Sequence, residues 1–228
     1  MVADYDPRNY DPKDYYHYGG NMEYRRVQNE TKEEEEKLWK GPLGNDYNER
    51  NVKTQDYDKR SVFWNRIQAW NEIDKVLEVG CNKGYNLLHW DGRGKYKVFG
   101  VDVNYEAIRA CRVMFPWINA VEGSVFDLPF KDNWFTLCFT VGVLIHVPPK
   151  ELRRAMDEIV RVSGKYVLCA EYWAEEERER PFLDMVGVTW ERDYGALFQD
   201  WYRLTILETG DLGLDSGFNN IRYWLMKK

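Results

Sequence analysis

The chain has 228 residues, a formal net charge of -6, and a composition that is 44% hydrophobic and 16% aromatic. A chain of this length can bury one substantial core and has no room for a second full domain. Its basic residues form only short pairs, such as Arg25-Arg26 and Arg153-Arg154. Because nucleic-acid-binding proteins generally carry a concentrated basic surface, the charge pattern disfavours a nucleic-acid partner and favours a small molecule.

Membrane and metal-binding classes are also disfavoured. The longest apolar stretch, 137–147, is too short to span a bilayer and is interrupted by polar residues, and positions 1–6 lack the pattern of a signal peptide. The cysteines are scattered without close pairs, which is typical of reduced, buried thiols rather than disulfides or zinc ligands. We therefore expect a cytoplasmic protein with no metal site and no membrane association. The cysteines are Cys81, Cys111, Cys138 and Cys169.

Three segments are predicted in chain order. Residues 1–30 form a polar arm rich in Tyr and Asp, which is either a flexible tail or an arm that packs on the protein or on a second copy. Residues 31–228 form a single domain. It starts with a charged run, 32–37, that indicates a solvent-exposed helix with Thr31 as its N-cap, and a second helix is predicted between Arg50 and Ile73.

The rest of the chain alternates between apolar strands and amphipathic helices. Such alternation predicts a doubly wound, Rossmann-like α/β fold with a mostly parallel sheet and right-handed crossovers. The predicted strands are 75–79, 98–102, 118–122, 135–141, 166–170, 204–208 and 221–226, and the predicted helices are 84–90, 104–114 and 149–162.

A glycine-bracketed turn follows the first predicted strand. Glu78 precedes Gly80, the turn closes at Gly84, and the next strand ends in Asp102, at the offset where such folds bind a ribose diol. A dinucleotide site needs a middle glycine because the pyrophosphate approaches the backbone closely, but this chain has Asn82 there. S-adenosyl-L-methionine has no phosphate, and its ammonium group suits Glu78. The pattern therefore favours this cofactor, with S-adenosyl-L-homocysteine as product, over NAD.

Residues 37–228 resemble the class I S-adenosylmethionine-dependent methyltransferases. The likeness rests on the two acid-ended strands, on 122–130 (EGSVFDLPF) and on 135–147 (FTLCFTVGVLIHV). It implies a seven-stranded sheet with a reversed last strand. More narrowly, the spacing of Trp39, Gly41, Gly44, Tyr47 and Arg50 is similar to that in the pseudaminic-acid-biosynthesis-associated methylases, bacterial proteins found with nine-carbon sugar pathways. Blocks 80–82, 142–146 and 170–172 add to this similarity.

Ligands of such sheets bind outside the carboxyl ends of the parallel strands, so the strand-end residues are expected to share one crevice. The turn amides would bind the methionine moiety, Asp102 the ribose and Ser124-Val125 the adenine edge, with Val103 on the purine face. The narrower resemblance implies that Arg50 binds the methionine carboxylate, with a surface ion pair as the alternative. The predicted cofactor-binding residues are Tyr47, Arg50, Glu78, Gly80, Cys81, Asn82, Gly84, Asp102, Val103, Ser124, Val125 and Thr140.

On the acceptor side, His146 is either a general base or a structural histidine. Glu171 either orients a sugar hydroxyl or pairs with an amine of the acceptor, or else it caps a helix or pairs with the lid. Residues 171–200 are predicted to form a substrate lid. The acceptor is expected to be a small molecule methylated on nitrogen or oxygen, with an amino or acidic sugar leading. A non-catalytic S-adenosylmethionine-binding protein and a methyltransferase acting on a macromolecule are the alternatives, and the protein is either a monomer or a homodimer. Further substrate-binding candidates are Tyr172, Trp173, Arg192 and Asp193.

Overall fold

The computed structural model describes residues 24–51, 57–70, 72–90 and 94–228. Within them a seven-stranded sheet, in the order β4-β3-β2-β5-β6-β10-β9, lies beside a three-stranded sheet in the order β1-β8-β7. The strands are β1 (Arg25–Arg26), β2 (Lys75–Val79), β3 (Lys97–Asp102), β4 (Asn119–Glu122), β5 (Phe135–Val141), β6 (Ser163–Glu171), β7 (Arg178–Phe182), β8 (Met185–Glu191), β9 (Thr205–Leu212) and β10 (Ile221–Lys227).

The α-helices flank the large sheet or cover its carboxyl edge. The helices are α1 (Lys32–Lys40), α2 (Pro42–Asn51), α3 (Tyr57–Gln68), α4 (Tyr105–Met114), α5 (Leu152–Val162) and α6 (Tyr194–Tyr202), with 3-10 helices at Asn86–Trp90, Leu144–His146 and Leu214–Ser216.

The order of the large sheet confirms the predicted fold class. Strands β2, β3, β4, β5 and β6 run parallel to one another, and β10 is antiparallel to both β6 and β9. The chain moves from β2 outward through β3 and β4, then returns to place β5 on the other side of β2. The turns after β2 and β5 therefore diverge at this switch point, which opens a crevice at the carboxyl edge.

Aromatic side chains fill the core between α3 and the sheet. Trp64 and Trp90 are fully buried, and the ring of Trp64 lies 4.9 Å from that of Phe139 on β5. The helical pattern of α3 places Phe63, Trp64 and Ile67 inward, whereas Val62 is 76% exposed. Burial of such rings contributes most of the packing that holds α3 on the sheet.

Several segments differ from expectation. The segment predicted as a helix over 84–90 contains a 3-10 helix, and the predicted lid, 171–200, contains the β7–β8 hairpin and most of α6. Residues 1–23 of the predicted polar arm lie outside the described residues. Its remainder is ordered, because β1 pairs in parallel with β8.

The buried thiols match the sequence analysis, since Cys81, Cys111, Cys138 and Cys169 are all free and buried. Among the described residues, no three His, Cys, Asp or Glu side chains group in an arrangement that could hold a metal ion. No helix in the same part of the chain has the length and apolarity needed to cross a membrane.

Candidate functional site

A cavity of about 200 Å³ lies at the carboxyl ends of β2, β3 and β5. Helices α1 and α2 cover one side of it, and Phe182 of the small sheet reaches in from another. The cavity brings together most of the residues predicted from the sequence. Those that line it are Tyr47, Arg50, Glu78, Gly80, Cys81, Asn82, Asp102, Val103, Ser124, Val125, His146 and Tyr172.

The turn after β2 depends on glycine at both ends. Gly80 has a φ of +70°, and a Cβ there would lie 2.3 Å from Cγ2 of Val143. Gly84 has a φ of +83° and would place a Cβ 2.7 Å from Sγ of Cys111, but it does not line the cavity. Both positions thus need a residue without a side chain, Gly80 at the cavity and Gly84 for packing against α4.

Asp102, at the end of β3, organises the floor of the cavity. Its carboxylate accepts hydrogen bonds from the backbone amides of Asn82 and Asn104, both at 2.8 Å. Burial raises the pKa of Asp102, and these backbone hydrogen bonds oppose the rise. Since each carboxylate oxygen can accept a second hydrogen bond, Asp102 remains able to bind ligand hydroxyls.

Glu78 is a buried acid with one oxygen satisfied. Its Oε1 accepts a hydrogen bond from Nδ2 of Asn86 at 2.7 Å, and Oδ1 of Asn86 accepts one from Arg60 at 2.7 Å. The Oε2 atom is buried without a hydrogen-bond partner. Burial raises the pKa of Glu78 to about 8, although Asn86 and the charge of Arg60 act in the opposite direction.

Arg50 is a buried cation that lacks an acidic partner among the described residues. Only 9% of it is exposed, and Nε donates a long hydrogen bond of 3.4 Å to the backbone oxygen of Asp46 in the same helix. The Nη2 atom is buried without a partner. The guanidinium lies 6.0 Å from the ring centre of Tyr47 and 5.9 Å from that of Phe182. This placement argues against the surface ion pair.

An acid and a cation, each with one polar atom that has no hydrogen-bond partner, therefore line one cavity, at Glu78 and Arg50. Leaving a buried charged group unpaired is costly, so a ligand that satisfies both groups would be strongly favoured. An α-amino acid moiety carries the required ammonium and carboxylate. The residues present therefore fit the methionine end of S-adenosylmethionine, and Asp102 lies where its ribose is expected.

His146 lies in the 3-10 helix after β5 and is 6% exposed. Its Nδ1 lies 3.0 Å from the carbonyl oxygen of Val188, which can only accept, so the proton of a neutral ring is on Nδ1. The ring lies 4.4 Å from that of Trp39 and 5.3 Å from that of Phe182. Burial lowers the pKa of His146 to about 4, while the hydrogen bond to Val188 acts in the opposite direction. The imidazole is thus neutral at pH 7, with Nε2 as its basic atom.

Glu171 is fully buried at the end of β6 and does not line the cavity. Its carboxylate accepts hydrogen bonds from the amides of Val143 at 3.2 Å and Ile145 at 3.3 Å. Burial raises its pKa to about 7, against these hydrogen bonds and that of Thr140. Glu171 thus holds the turn that carries His146. Thr140 is also buried and does not line the cavity.

The other acceptor-side candidates also lie away from the cavity, apart from Tyr172. Arg192 is buried and donates to the carbonyl oxygens of Leu144 and Val147, so it supports the same turn from behind. Asp193 accepts a hydrogen bond from the amide of Ala196 at the start of α6. Trp173 is 39% exposed, with the guanidinium of Arg222 at 4.0 Å from its ring centre.

Several cavity residues were not among the predicted site residues. Asn48 accepts a hydrogen bond from Asn82 at 2.5 Å and donates to Asn104 at 3.0 Å, which ties α2 to the floor. Phe182 comes from the region predicted as a lid. Glu35, Trp39 and Leu43 are spaced four residues apart, and this spacing places Glu35 and Trp39 on one face of α1. The charges around them, however, indicated a helix exposed to solvent. The residues added by the structure include Glu35, Trp39, Gly44, Asn48, Asn86, Asn104, Val143, Ile145 and Phe182.

Comparison with known proteins agrees with this geometry. Residues 76–165 match the family model described as a methyltransferase domain. The chain is 28% identical over 134 residues to ribosomal protein L11 methyltransferase of Shewanella sp. (strain W3-18-1), covering 58% of this chain and 44% of that protein. It is 31% identical over 113 residues to a tRNA U34 carboxymethyltransferase of Pseudomonas aeruginosa (strain LESB58), covering 46% and 35%.

One solved structure resembles nearly the whole chain. It is the 1,6-didemethyltoxoflavin-N1-methyltransferase of Burkholderia thailandensis with bound 1,6-didemethyltoxoflavin and S-adenosylhomocysteine. The TM-score is 0.71 at 14% sequence identity, and the alignment covers 93% of this chain and 98% of that one. At this identity the likeness establishes the fold.

The fold and the cavity define a Rossmann-like, class I nucleoside-binding domain. The family match identifies residues 76–165 as a methyltransferase domain, which agrees with S-adenosylmethionine as the cofactor. The predicted cofactor class is thereby confirmed, whereas the narrower pseudaminic-acid-associated group is not. The chain spans less than half the length of the two relatives named above.

Proposed function

We propose that the protein transfers a methyl group from S-adenosylmethionine to nitrogen or oxygen of a small molecule. The observation that carries the proposal is the pair of buried polar atoms without a hydrogen-bond partner in one cavity, Oε2 of Glu78 and Nη2 of Arg50. Glu78 would bind the ammonium and Arg50 the carboxylate of the methionine moiety. A guanidinium can bind a carboxylate through two parallel hydrogen bonds, which also fixes its orientation.

The remaining predicted residues would hold the adenosine. Asp102 would offer carboxylate oxygens to the ribose, and Ser124 and Val125, which line the same cavity, would contact the adenine edge. Ser124 accepts a hydrogen bond from the amide of Phe126 at 3.2 Å, and its hydroxyl lies beside the carboxylate of Glu36. Val103 would pack on the purine face.

When bound, the cofactor supplies an electrophilic methyl group on a sulfonium. The protein's part is then to hold the acceptor in line and to exclude water. His146 presents the basic Nε2 because Val188 fixes the proton on Nδ1. With a pKa of about 4, this imidazole is a weak base, suited to an acceptor whose proton is acidic or whose nucleophilic atom has none.

A small acceptor is supported by the cavity walls. Trp39 and Phe182 contact the ring of His146, and Tyr47 contacts Trp39, so this part of the cavity is lined by aromatic rings; Tyr172 lines the same cavity. Trp39, Tyr47 and Arg50 belong to the motif shared with the pseudaminic-acid-associated methylases, and all three line the cavity. An amino or acidic sugar, free or nucleotide-linked, is the acceptor class that this resemblance implies.

A macromolecular acceptor is the second candidate. It is favoured by the relatives named for ribosomal protein L11 and for tRNA. The net charge of -6 weighs against tRNA. A non-catalytic S-adenosylmethionine-binding protein would keep the cavity and form no methylated product.

The test begins with calorimetric titration of the purified protein with S-adenosylmethionine and with NAD. We expect binding of the first alone, and at least tenfold weaker binding by the Asp102→Ala variant. Radiolabelled cofactor is then incubated with amino and acidic sugars, with total tRNA and with ribosomal proteins. Label in a sugar supports the proposal, label in a macromolecule supports the second candidate, and binding without any transfer favours the non-catalytic alternative. Preference for NAD would overturn the proposal.

A further inference from the structure

Glu35 is a buried acid in the middle of the charged run of α1. The run begins at a well-formed helix start, where Thr31 and Glu34 cap each other reciprocally. Glu33 is exposed, as expected for a helix of this composition, but only 7% of Glu35 is exposed. Its side chain lines the same cavity as Asp102, Ser124 and Val125, and it is close enough to Asp102 for their charges to interact. The helix therefore presents one of its acids inward.

No group in the described part of the chain hydrogen-bonds the carboxyl of Glu35 or forms an ion pair with it. Burial and, to a smaller extent, the nearby charges of Glu36 and Asp102 together raise its pKa to about 8, and only Lys40 opposes them. A buried acid beside two other acids destabilises the protein by itself. Such a group needs a ligand that can share hydrogen bonds with a carboxyl.

The direction of α1 fixes which part of the ligand lies near Glu35. Trp39 is one turn further along, about 6 Å away along the helix axis, and its ring contacts His146. Glu36, beside Glu35, lies next to Ser124. Helix α1 therefore crosses the cavity from the adenosine end, at Glu35, to the methyl-transfer end, at Trp39.

We propose that Glu35 binds the ribose hydroxyls of S-adenosylmethionine, facing Asp102 across the sugar. This inference rests on the proposed cofactor site and adds a ligand from a helix that precedes the nucleotide-binding sheet. A carboxyl accepts hydrogen bonds from both hydroxyls of a diol when ionised, and it donates one and accepts another when protonated. Two carboxyls around one diol would satisfy both hydroxyls and enclose the sugar.

Glu35→Ala, Glu35→Gln and the control Glu33→Ala separate this role from a structural one. The control makes the same change on the exposed face of the same helix. Calorimetry uses S-adenosylhomocysteine, 5′-methylthioadenosine, which lacks the amino acid moiety, and 2′,3′-dideoxy-5′-methylthioadenosine, which also lacks the ribose hydroxyls. We expect Glu35→Ala to weaken the first two ligands by the same factor, about 10- to 100-fold, with a smaller loss for Glu35→Gln and none for Glu33→Ala.

The dideoxy ligand is expected to bind the wild type and the Glu35→Ala variant alike. The unfolding temperature of the ligand-free Glu35→Ala variant is expected to stay at or above that of the wild type, because an unpaired buried acid has been removed. Equal affinities of wild type and Glu35→Ala for the first two ligands would overturn the inference. So would a loss confined to S-adenosylhomocysteine, or one that persists with the dideoxy ligand. Failure of the wild type to bind S-adenosylhomocysteine would overturn the cofactor site itself.

Discussion

Replacing Glu78 with Gln is expected to stabilise the ligand-free protein at high pH while weakening cofactor binding. The carboxyl is 1% exposed and one of its oxygens has no partner. Its pKa of about 8 in the folded protein, against an ordinary value of 4.5, corresponds to about 5 kcal/mol when the group is fully ionised. The variant keeps the shape of the side chain and removes the charge.

The sign follows from the raised pKa. Between pH 4.5 and pH 8 the folded protein keeps the Glu78 proton that the unfolded chain has released. The free energy of unfolding contributed by this group therefore falls as pH rises, by about 1.4 kcal/mol per pH unit, and levels off above pH 8. The Gln variant lacks this dependence, so its advantage over the wild type is expected to grow across that range.

Urea unfolding at pH 6, 7, 8 and 9 measures this difference, and calorimetry at pH 7 measures the ligand effect. We expect Glu78→Gln to weaken S-adenosylhomocysteine by 10-fold or more and to leave 5′-methylthioadenosine unchanged, since only the first ligand has an ammonium group. Wild-type binding of S-adenosylhomocysteine is also expected to release close to one proton, because the ammonium forces Glu78 to ionise. A stability difference that does not vary with pH, or equal losses for both ligands, would refute the reasoning.

Three further changes test the rest of the site. Arg50→Met is expected to weaken S-adenosylhomocysteine by 10-fold or more without affecting 5′-methylthioadenosine, and without lowering the unfolding temperature; an equal effect on both ligands contradicts the assignment. The wild type is expected to lose about 2 kcal/mol of stability in urea unfolding as the pH falls from 6.5 to 5, because the folded imidazole, with its pKa of about 4, stays neutral while the unfolded one gains a proton. The His146→Gln variant is expected to lack this loss. Unchanged pH dependence would mean that the ring is protonated in the folded state. Gly80→Ala is expected to lower both cofactor affinity and unfolding temperature, since its Cβ would lie 2.3 Å from a side-chain carbon; wild-type values for both would show that the turn tolerates a side chain.

The central sheet could be predicted because its signals are local. Each parallel strand is a short apolar run followed by a turn or an acid, and strand alternation with helices allows few topologies. Gly80 and Asp102 could be placed in one site for the same reason, since carboxyl ends of neighbouring strands meet at one edge. The cavity residues of β2 and β3 follow directly from that rule.

The covering elements could not be predicted in the same way. Glu35 lies within a run of charges whose ordinary interpretation is an exposed face, and only long-range contacts of α1 bury it. Glu171 ends a parallel strand as Asp102 does, yet its carboxylate turns toward the amides of Val143 and Ile145. The position of a residue in a strand determines where its Cα lies, but hydrogen bonds to residues distant in sequence determine the direction of its side chain.

The polar attachment of α2 has a consequence for the timing of turnover. Asn48 holds α2 to Asn82 and Asn104 through side-chain amides, and β1, which precedes α1, is held to β8 of the small sheet through only two residue pairs. Such contacts open more easily than an apolar core. For a nucleoside bound in the proposed site beneath α1 and α2, lifting of this cover would widen the exit, so the rate of lifting would affect the residence time of the spent cofactor and, with fast chemistry, the turnover number.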